Sequence, residues 1–352
     1  MRDLLQRLKP YMGLLKWVIA LAILGYLFYQ NIYLNLDSLS EVADRQFRWI
    51  DCCIAAALIA ASVFLTFVRW YLLVWAQGFE FRLRDAFRIG FWGLLLNYVA
   101  PGQVGGDLFK AALIAREQQS RRLVAIATVV IDRILGLLAL FIVGAIASLA
   151  LPGLRENNVL ASIAGFLWTG ATVGTVGLLI MLHPATPRSR WLNRLVHLKF
   201  VGRAIGDLIQ AIVLYQSKRR VVVLAVAMSL FGHMGILSSF YFASRALRLE
   251  EVAPDYTTHL LIVPAAEVGA SFVPLPGGVG VLEGAISYFY GEAENRTDHK
   301  ELAKAGGLLA TLLFRLITLL VAAAGFICFM ATGKNRLSAN ETKPPESENE
   351  SA

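Results

Sequence analysis

The chain has 352 residues, of which 57% are hydrophobic and only 16% charged, and its formal net charge is +8. Soluble domains carry about 25% charged residues, and several stretches here exceed the roughly 18 apolar residues that mark a bilayer-spanning helix. The composition excludes a soluble globular domain and implies a polytopic membrane protein. Its positive balance lies mostly in short loops between apolar runs, where it sets orientation and attracts anionic headgroups, so no nucleic-acid partner is implied.

In chain order, Arg2, Arg7, Lys9 and Lys16 precede or open the first apolar run, 14–34, which continues into GYLFYQNIYLN without a cleavage site and reads as an uncleaved span. Runs 54–76, 123–151, 159–182, 221–243 and 303–331 predict five more full spans, six in all. Two further apolar stretches, 86–115 and 259–290, are interrupted near their middles by VAPGQVGGDLFK and PLPGGVGVLEG. Each half holds about 15 residues, which reaches only about 20 Å at 1.5 Å per residue, short of a hydrocarbon core of about 30 Å. Each broken stretch therefore predicts a re-entrant hairpin that enters and leaves on one side. Between the spans, segment 188–218 is an amphipathic connector expected at the inner interface. Residues 333–352 are polar and Pro-containing, and predict a disordered tail.

The distribution of charge agrees with this topology. With the N-terminus inside, the loop holding Asp37, Glu41, Asp44 and Asp51 is outside, and Arg82, Arg84 and Arg88 are inside. Arg116, Arg121 and Arg122 return inside only if the first broken stretch does not cross. The basic connector 183–220 is again inside, and the second broken stretch then opens outward beside LEEVAPD and GEAENRTDHKE, which leaves the C-terminus inside. The implied location is the cell membrane, with both termini cytoplasmic.

The two breaks also match each other. Pro101-Gly102-Gln103-Val104-Gly105 and Pro276-Gly277-Gly278-Val279-Gly280 both read P-G-x-V-G and are followed by an acid, and they stand 175 positions apart. Span, broken hairpin and span recur in the same order over 51–151 and 220–331, and the lone span 159–182 reverses the second unit. The fold class predicted is an all-α integral membrane protein with six transmembrane helices and two hairpins in an inverted repeat, about eight hydrophobic segments within one domain, 1–332. The glycines Gly105, Gly106, Gly278 and Gly280 serve the turns and close helix approach. The outgoing half-helices direct their N-termini to the membrane centre, where N–H groups and the helix dipole favour an anion.

The segments NYVAPGQVGGDLFK and VPLPGGVGVLEGAI, with VVIDRILGLLAL as a weaker third, resemble the signature segments of the lysylphosphatidylglycerol synthase transmembrane (flippase-like) family. The likeness runs from about residue 10 to 332. It implies movement of lipids or lipid-linked headgroups across the membrane. The aminoacyl-transfer domain of the bifunctional members has no counterpart in this sequence.

Charges inside apolar runs are the candidate site residues, since each costs at least about 2.5–3.5 kcal/mol to insert. Asp107 and Glu283 sit in the first turns of the outgoing half-helices, suited to capping and to countering an arginine. Asp132 and Arg133 are neighbours in a span and point about 100° apart, so each needs another partner. Arg133 and Arg315 are placed to bridge to Asp107 and Glu283 or to bind lipid phosphate. Lys110 lies on the face of Asp107, Glu267 precedes the second break, and Asn97 and Gln103 are tip hydrogen bonders. Arg69 lies near a span end, where snorkelling to the interface is the simpler reading.

Cys52, Cys53 and Cys328 lie in apolar runs without metal or redox spacing and read as small buried side chains; the five histidines form no cluster, and none lies near either tip. No metal or cofactor is implied. The principal reading is a translocator of an anionic phospholipid or a lipid-linked phosphate. An enzyme acting on a phospholipid or polyprenyl-phosphate intermediate, for which no catalytic motif occurs, and a scaffold in an envelope-synthesis complex stay open, as do a homo-oligomer and an envelope-synthesis partner.

Overall fold

The computed structural model describes residues 46–99, 104–118, 121–188, 202–273, 278–294 and 296–340. Among them there are ten α-helices and no strand: α1 Trp49–Ala76, α2 Leu83–Val99, α3 Gly105–Glu117, α4 Arg122–Ser148, α5 Asn158–Leu182, α6 Gly202–Ser217, α7 Arg219–Ala246, α8 Tyr256–Phe272, α9 Val281–Ala293 and α10 Lys300–Asn340. The expected first span, 14–34, lies outside the described residues.

Local chemistry sets several of the boundaries. Asn157 accepts from the Val159 and Leu160 amides and starts α5, and Asp255 accepts from the Thr258 amide and starts α8. Gly78, at φ +75°, turns the chain between α1 and α2. At the second break Gly278 and Gly280 take φ of +60° and +87°, a backbone that side chains rarely tolerate. Pro101, Gly102, Gln103, Pro276 and Gly277 lie outside the described residues.

Five helical segments (α1, α4, α5, α7 and residues 297–329, which hold most of α10) are long and apolar enough to cross a membrane. The two interrupted stretches are the exceptions. α2 and α8 have 17 residues each and α3 and α9 have 13 each, so they reach about 25 and 20 Å respectively. α2 packs on α3, and α8 packs on α9.

α4 is the innermost of the five long helices, with 56% of its most apolar window buried, against 22% for α5. α4 touches α1, α3, α7 and α8, while α10 touches α7, α9, α1 and α2. α1 and α7 pack against each other along much of their length. The largest apolar core joins Leu237 and Phe240 of α7 to Leu261 and Val263 of α8, Ile286 and Tyr290 of α9 and Ala310 of α10. A second core joins Trp70, Ile89, Ile114 and Val124 of α1–α4. Outward-facing side chains are themselves apolar: Val173, Leu179, Phe231, Leu320 and Ile327 are all exposed. That is the surface a lipid solvent requires.

The connector helix α6 is drawn onto the bundle. It buries Ala211 and Tyr215; Tyr215 donates to the Leu73 carbonyl at 3.1 Å, Gln77 donates to the Ala211 carbonyl at 3.2 Å, and Gln216 donates to the Met181 carbonyl at 2.9 Å. It therefore ties the ends of α1 and α5 together. Residues 189–201 lie outside the described part. α10 runs on to Asn340, beyond the end at 331 that hydropathy suggests. The cysteines correct the reading of buried side chains: Cys53 and Cys328 are exposed and Cys52 is half-buried, because an apolar thiol needs no shelter on a lipid-facing surface.

Close packing of α2 on α3 depends on paired glycines. A Cβ at Gly106 would stand 2.0 Å from the Gly93 carbonyl oxygen, a backbone atom that cannot swing away, whereas a Cβ at Gly284 would meet nothing within 4 Å. Gly106→Ala is therefore expected to cost about 1–3 kcal/mol and Gly284→Ala close to nothing. Thermal unfolding of the purified protein in detergent checks this: a lowered Tm for the first variant and an unchanged one for the second.

Candidate functional site

All eight helices of the two four-helix sets, α1–α4 and α7–α10, meet around one cavity of about 260 Å³. Its wall comes from the middles of the long helices (Thr66 and Arg69 of α1, Asp132, Arg133 and Gly136 of α4, His233 of α7, Arg315 and Thr318 of α10) and from the short ones near the breaks (Asn97, Asp107, Lys110, Glu267, Ser271 and Leu282). Four cations stand here in an otherwise apolar interior.

Arg69 is the most deeply paired. Its Nε lies 2.7 Å from Asp132 Oδ1 and its Nη1 donates to Ser229 Oγ at 2.6 Å; the two charged side chains are only 4% and 6% exposed. This corrects the snorkelling expectation: from the last third of α1 the guanidinium turns inward because Asp132 and Ser229 supply acceptors. A buried charge lacking such a partner would be far costlier than the lost packing.

Arg133, one residue on from Asp132, points elsewhere, as helix geometry requires. Its Nη1 lies 3.5 Å from Asp107 Oδ2 and its Nη2 donates to Ser271 Oγ at 3.0 Å, so it joins α3 to α8 across the cavity. Lys110 Nζ also approaches Asp107, at 3.5 Å, with the Trp70 ring centroid 5.6 Å away. Asp107 thus faces two cations, both at the long end of ion-pair range.

Arg315 is held more tightly. Its Nε lies 2.6 Å from Glu283 Oε1 as an ion pair, and its Nη2 donates to Glu283 Oε2 at 3.3 Å and to the Gly278 carbonyl at 3.1 Å. Glu283 Oε2 also accepts from the Gly280 amide at 2.7 Å, which caps α9. Glu283 is therefore a helix cap and an arginine partner at once.

At α3 the corresponding cap comes from Asn97, whose Oδ1 accepts from the Gly106 amide at 2.7 Å. The amides of Gly106 and Gly280 thus have protein acceptors. The expectation of open half-helix N-termini is corrected at these two positions: an amide buried away from water takes the nearest acceptor. The cations that face the cavity come from side chains.

Residues 13–325 match the family model described as lysylphosphatidylglycerol synthase TM region. The chain belongs to this family. It is a multi-pass membrane protein by that membership and by its apolar helices. Among curated proteins and solved structures, none matches significantly.

In this member of the lysylphosphatidylglycerol synthase TM region family, the cavity gathers nearly every charged residue singled out from the sequence: Arg69, Asp107, Lys110, Asp132, Arg133, Glu267 and Arg315, with Asn97. Glu283 stands just behind Arg315. Gln103 lies outside the described residues. Gly106 contributes close packing and Gly278 a carbonyl acceptor.

His233, Ser229 and Ser271 are the site residues that sequence reasoning missed. His233 reaches the cavity from α7, far in sequence from either break, and its Nδ1 shares a hydrogen bond with the Ser229 carbonyl at 2.8 Å. His233 thus lines the cavity although no histidine stands near either break in sequence. A histidine in mid-span was the available signal. Single serines in spans carry no comparable one, because they commonly bond their own helix.

The Arg69–Asp132 pair makes a separable prediction. Arg69→Gln leaves the Asp132 carboxylate buried without a cation and is expected to cost about 3–5 kcal/mol. The double variant Arg69→Met with Asp132→Leu removes both charges and is expected to cost less than either single change. Unfolding titrations in mixed detergent micelles, run as a double-mutant cycle, check the sign of that coupling.

Proposed function

We propose that this protein translocates a membrane lipid, or a lipid-linked headgroup, by binding its anionic phosphate in the central cavity. One observation carries this reading: eight helices converge on a single chamber, and five of them, α1, α3, α4, α8 and α10, bring charged side chains to it. Charges there are expensive to insert and are expected on a substrate path. A chamber of about 260 Å³ suits a polar headgroup and leaves acyl chains outside, since pockets for drug-sized ligands run from about 300 Å³ upward.

In this reading α2–α3 and α8–α9 are re-entrant hairpins entering from opposite faces, and the two four-helix sets are an inverted repeat. The packing supports that symmetry. Exchanging α1 with α7, α2 with α8, α3 with α9 and α4 with α10 turns each packed pair into another packed pair: α4 on α8 becomes α10 on α2, and α3 on α4 becomes α9 on α10. The ion pairs Asp107–Arg133 and Glu283–Arg315 are exchanged by the same operation. Such a pseudo-symmetric pair of bundles around a fixed site is the usual basis of alternating access. The protein sits in the cell membrane with both termini in the cytoplasm, and the role is transport rather than catalysis.

Arg133 is the cation best placed to take the phosphate. Its bond to Asp107 is long, and it reaches Ser271 on the opposite hairpin. In proteoliposomes carrying fluorescent short-chain phosphatidylglycerol, the wild-type protein is expected to move lipid between leaflets. Arg133→Gln should lower the initial rate at least tenfold, the loss of one charge-assisted hydrogen bond of about 1.5–3 kcal/mol. Wild-type rates equal to those of empty vesicles across several headgroups would reject the reading. Topology reporters fused after Arg116 and Gly291 should report inside and outside respectively; the same side for both would reject opposed hairpins.

A further inference from the structure

The cavity and the acid behind it are charge-balanced among the described residues. Four cations, Arg69, Lys110, Arg133 and Arg315, meet four acids, Asp107, Asp132, Glu267 and Glu283. Three of the acids are in direct ion pairs: Asp132 at 2.7 Å, Glu283 at 2.6 Å, and Asp107 at 3.5 Å from each of two cations. Glu267 differs. Glu267 lines the cavity one helical turn before Ser271, yet no hydrogen bond or ion pair joins its carboxylate to a described residue; the Ser271 hydroxyl donates to the Glu267 carbonyl. The charged groups that act on it from a distance are Arg315, Arg133 and Glu283.

A phosphate entering this balanced site adds a negative charge where few waters can screen it. Net charge buried without compensation is strongly unfavourable. Compensation requires either a positive group brought by the ligand or a proton taken up by the site. An ammonium group beside Glu267 would sit within the field of Arg133 and Arg315, against like charge, and would need space. A proton on the carboxylate needs none, and it removes a charge that, beside Asp107 and Glu283, competes with phosphate for those two arginines.

Of the other titratable groups facing the chamber, Asp107, Asp132 and Glu283 already hold cations. A proton on His233 would set a further positive charge beside Arg69, which faces the same gap at Gly136.

Resting on the transport reading above, we infer that Glu267 is a proton-binding site coupled to the headgroup site. Binding of an anionic headgroup at Arg133 takes up one proton at Glu267, and release of the headgroup returns it. Protons are thus the co-substrate of lipid movement, and a proton gradient supplies its direction.

The sign follows from linkage. A complex that holds more protons than the free protein forms more tightly as pH falls, by up to about tenfold per pH unit for one proton. The test titrates the purified full-length protein in detergent with dioctanoyl phosphatidylglycerol, by calorimetry between pH 5 and 8, in two buffers of different ionisation enthalpy. The expected result is uptake of close to one proton per lipid in the region where affinity changes with pH. Glu267→Gln is expected to bind with the tighter, acid-side affinity throughout and to show no such uptake.

Proton-neutral, pH-independent binding by the wild type would overturn the inference, and so would linkage retained in Glu267→Gln. So would tighter binding of dioctanoyl phosphatidylethanolamine than of the phosphatidylglycerol at pH 8 that is lost in Glu267→Gln, because Glu267 would then be an ammonium counter-ion. Binding without linkage rejects the role of Glu267 and leaves the transport reading standing. Failure of the lipid to bind at any pH rejects the headgroup site, and this inference with it.

Discussion

A polar group inside a bilayer has no water to turn to, and almost every feature of this protein answers that constraint. Interrupted helices expose amides, and buried cations need acceptors. Here both needs are met by the same few side chains. Glu283 caps the α9 amide at Gly280 and pairs with Arg315, which also takes the Gly278 carbonyl. Asn97 caps α3 across a contact so close that only glycine fits at Gly106. The helix starts that follow the two breaks are tolerable because protein acceptors satisfy their amides.

The two arginine–acid pairs that correspond by position are not equivalent in geometry. Arg315 is locked against Glu283 at 2.6 Å with its side chain 13% exposed, whereas Arg133 stands 3.5 Å from Asp107 and is 30% exposed. Both line the chamber, but Arg315 is committed to its acid while Arg133 is held loosely. The difference also locates the part of the site with spare hydrogen-bonding capacity, on the α3–α4 side.

The membrane class, the five long helices and the two interrupted stretches were legible in the sequence, since apolar length and a Pro-Gly break act locally. The pairing of Arg133 with Asp107 and of Arg315 with Glu283 was legible as well: a charge that cannot leave the bilayer must find its opposite, and few opposites exist. The role of Arg69 was not. Its position near the end of a run suggested escape to the interface, and only the packing of α1 on α4 and α7 brings Asp132 and Ser229 within reach. His233 and Ser271 escaped notice for the same reason, because they join the site from helices distant in the chain.

By itself the sequence determined the solvent this protein folds in, the helices that can cross it, and the stock of charges that has to be reconciled inside. Those properties depend on residue type and on neighbours a few positions away. The tertiary structure decided which charge meets which, that the amides of Gly106 and Gly280 are spent on capping, and that Glu267 lines the chamber with no direct partner among the described residues. Those outcomes depend on the distances between helices, which are set by side-chain packing across the bundle and written in no single segment.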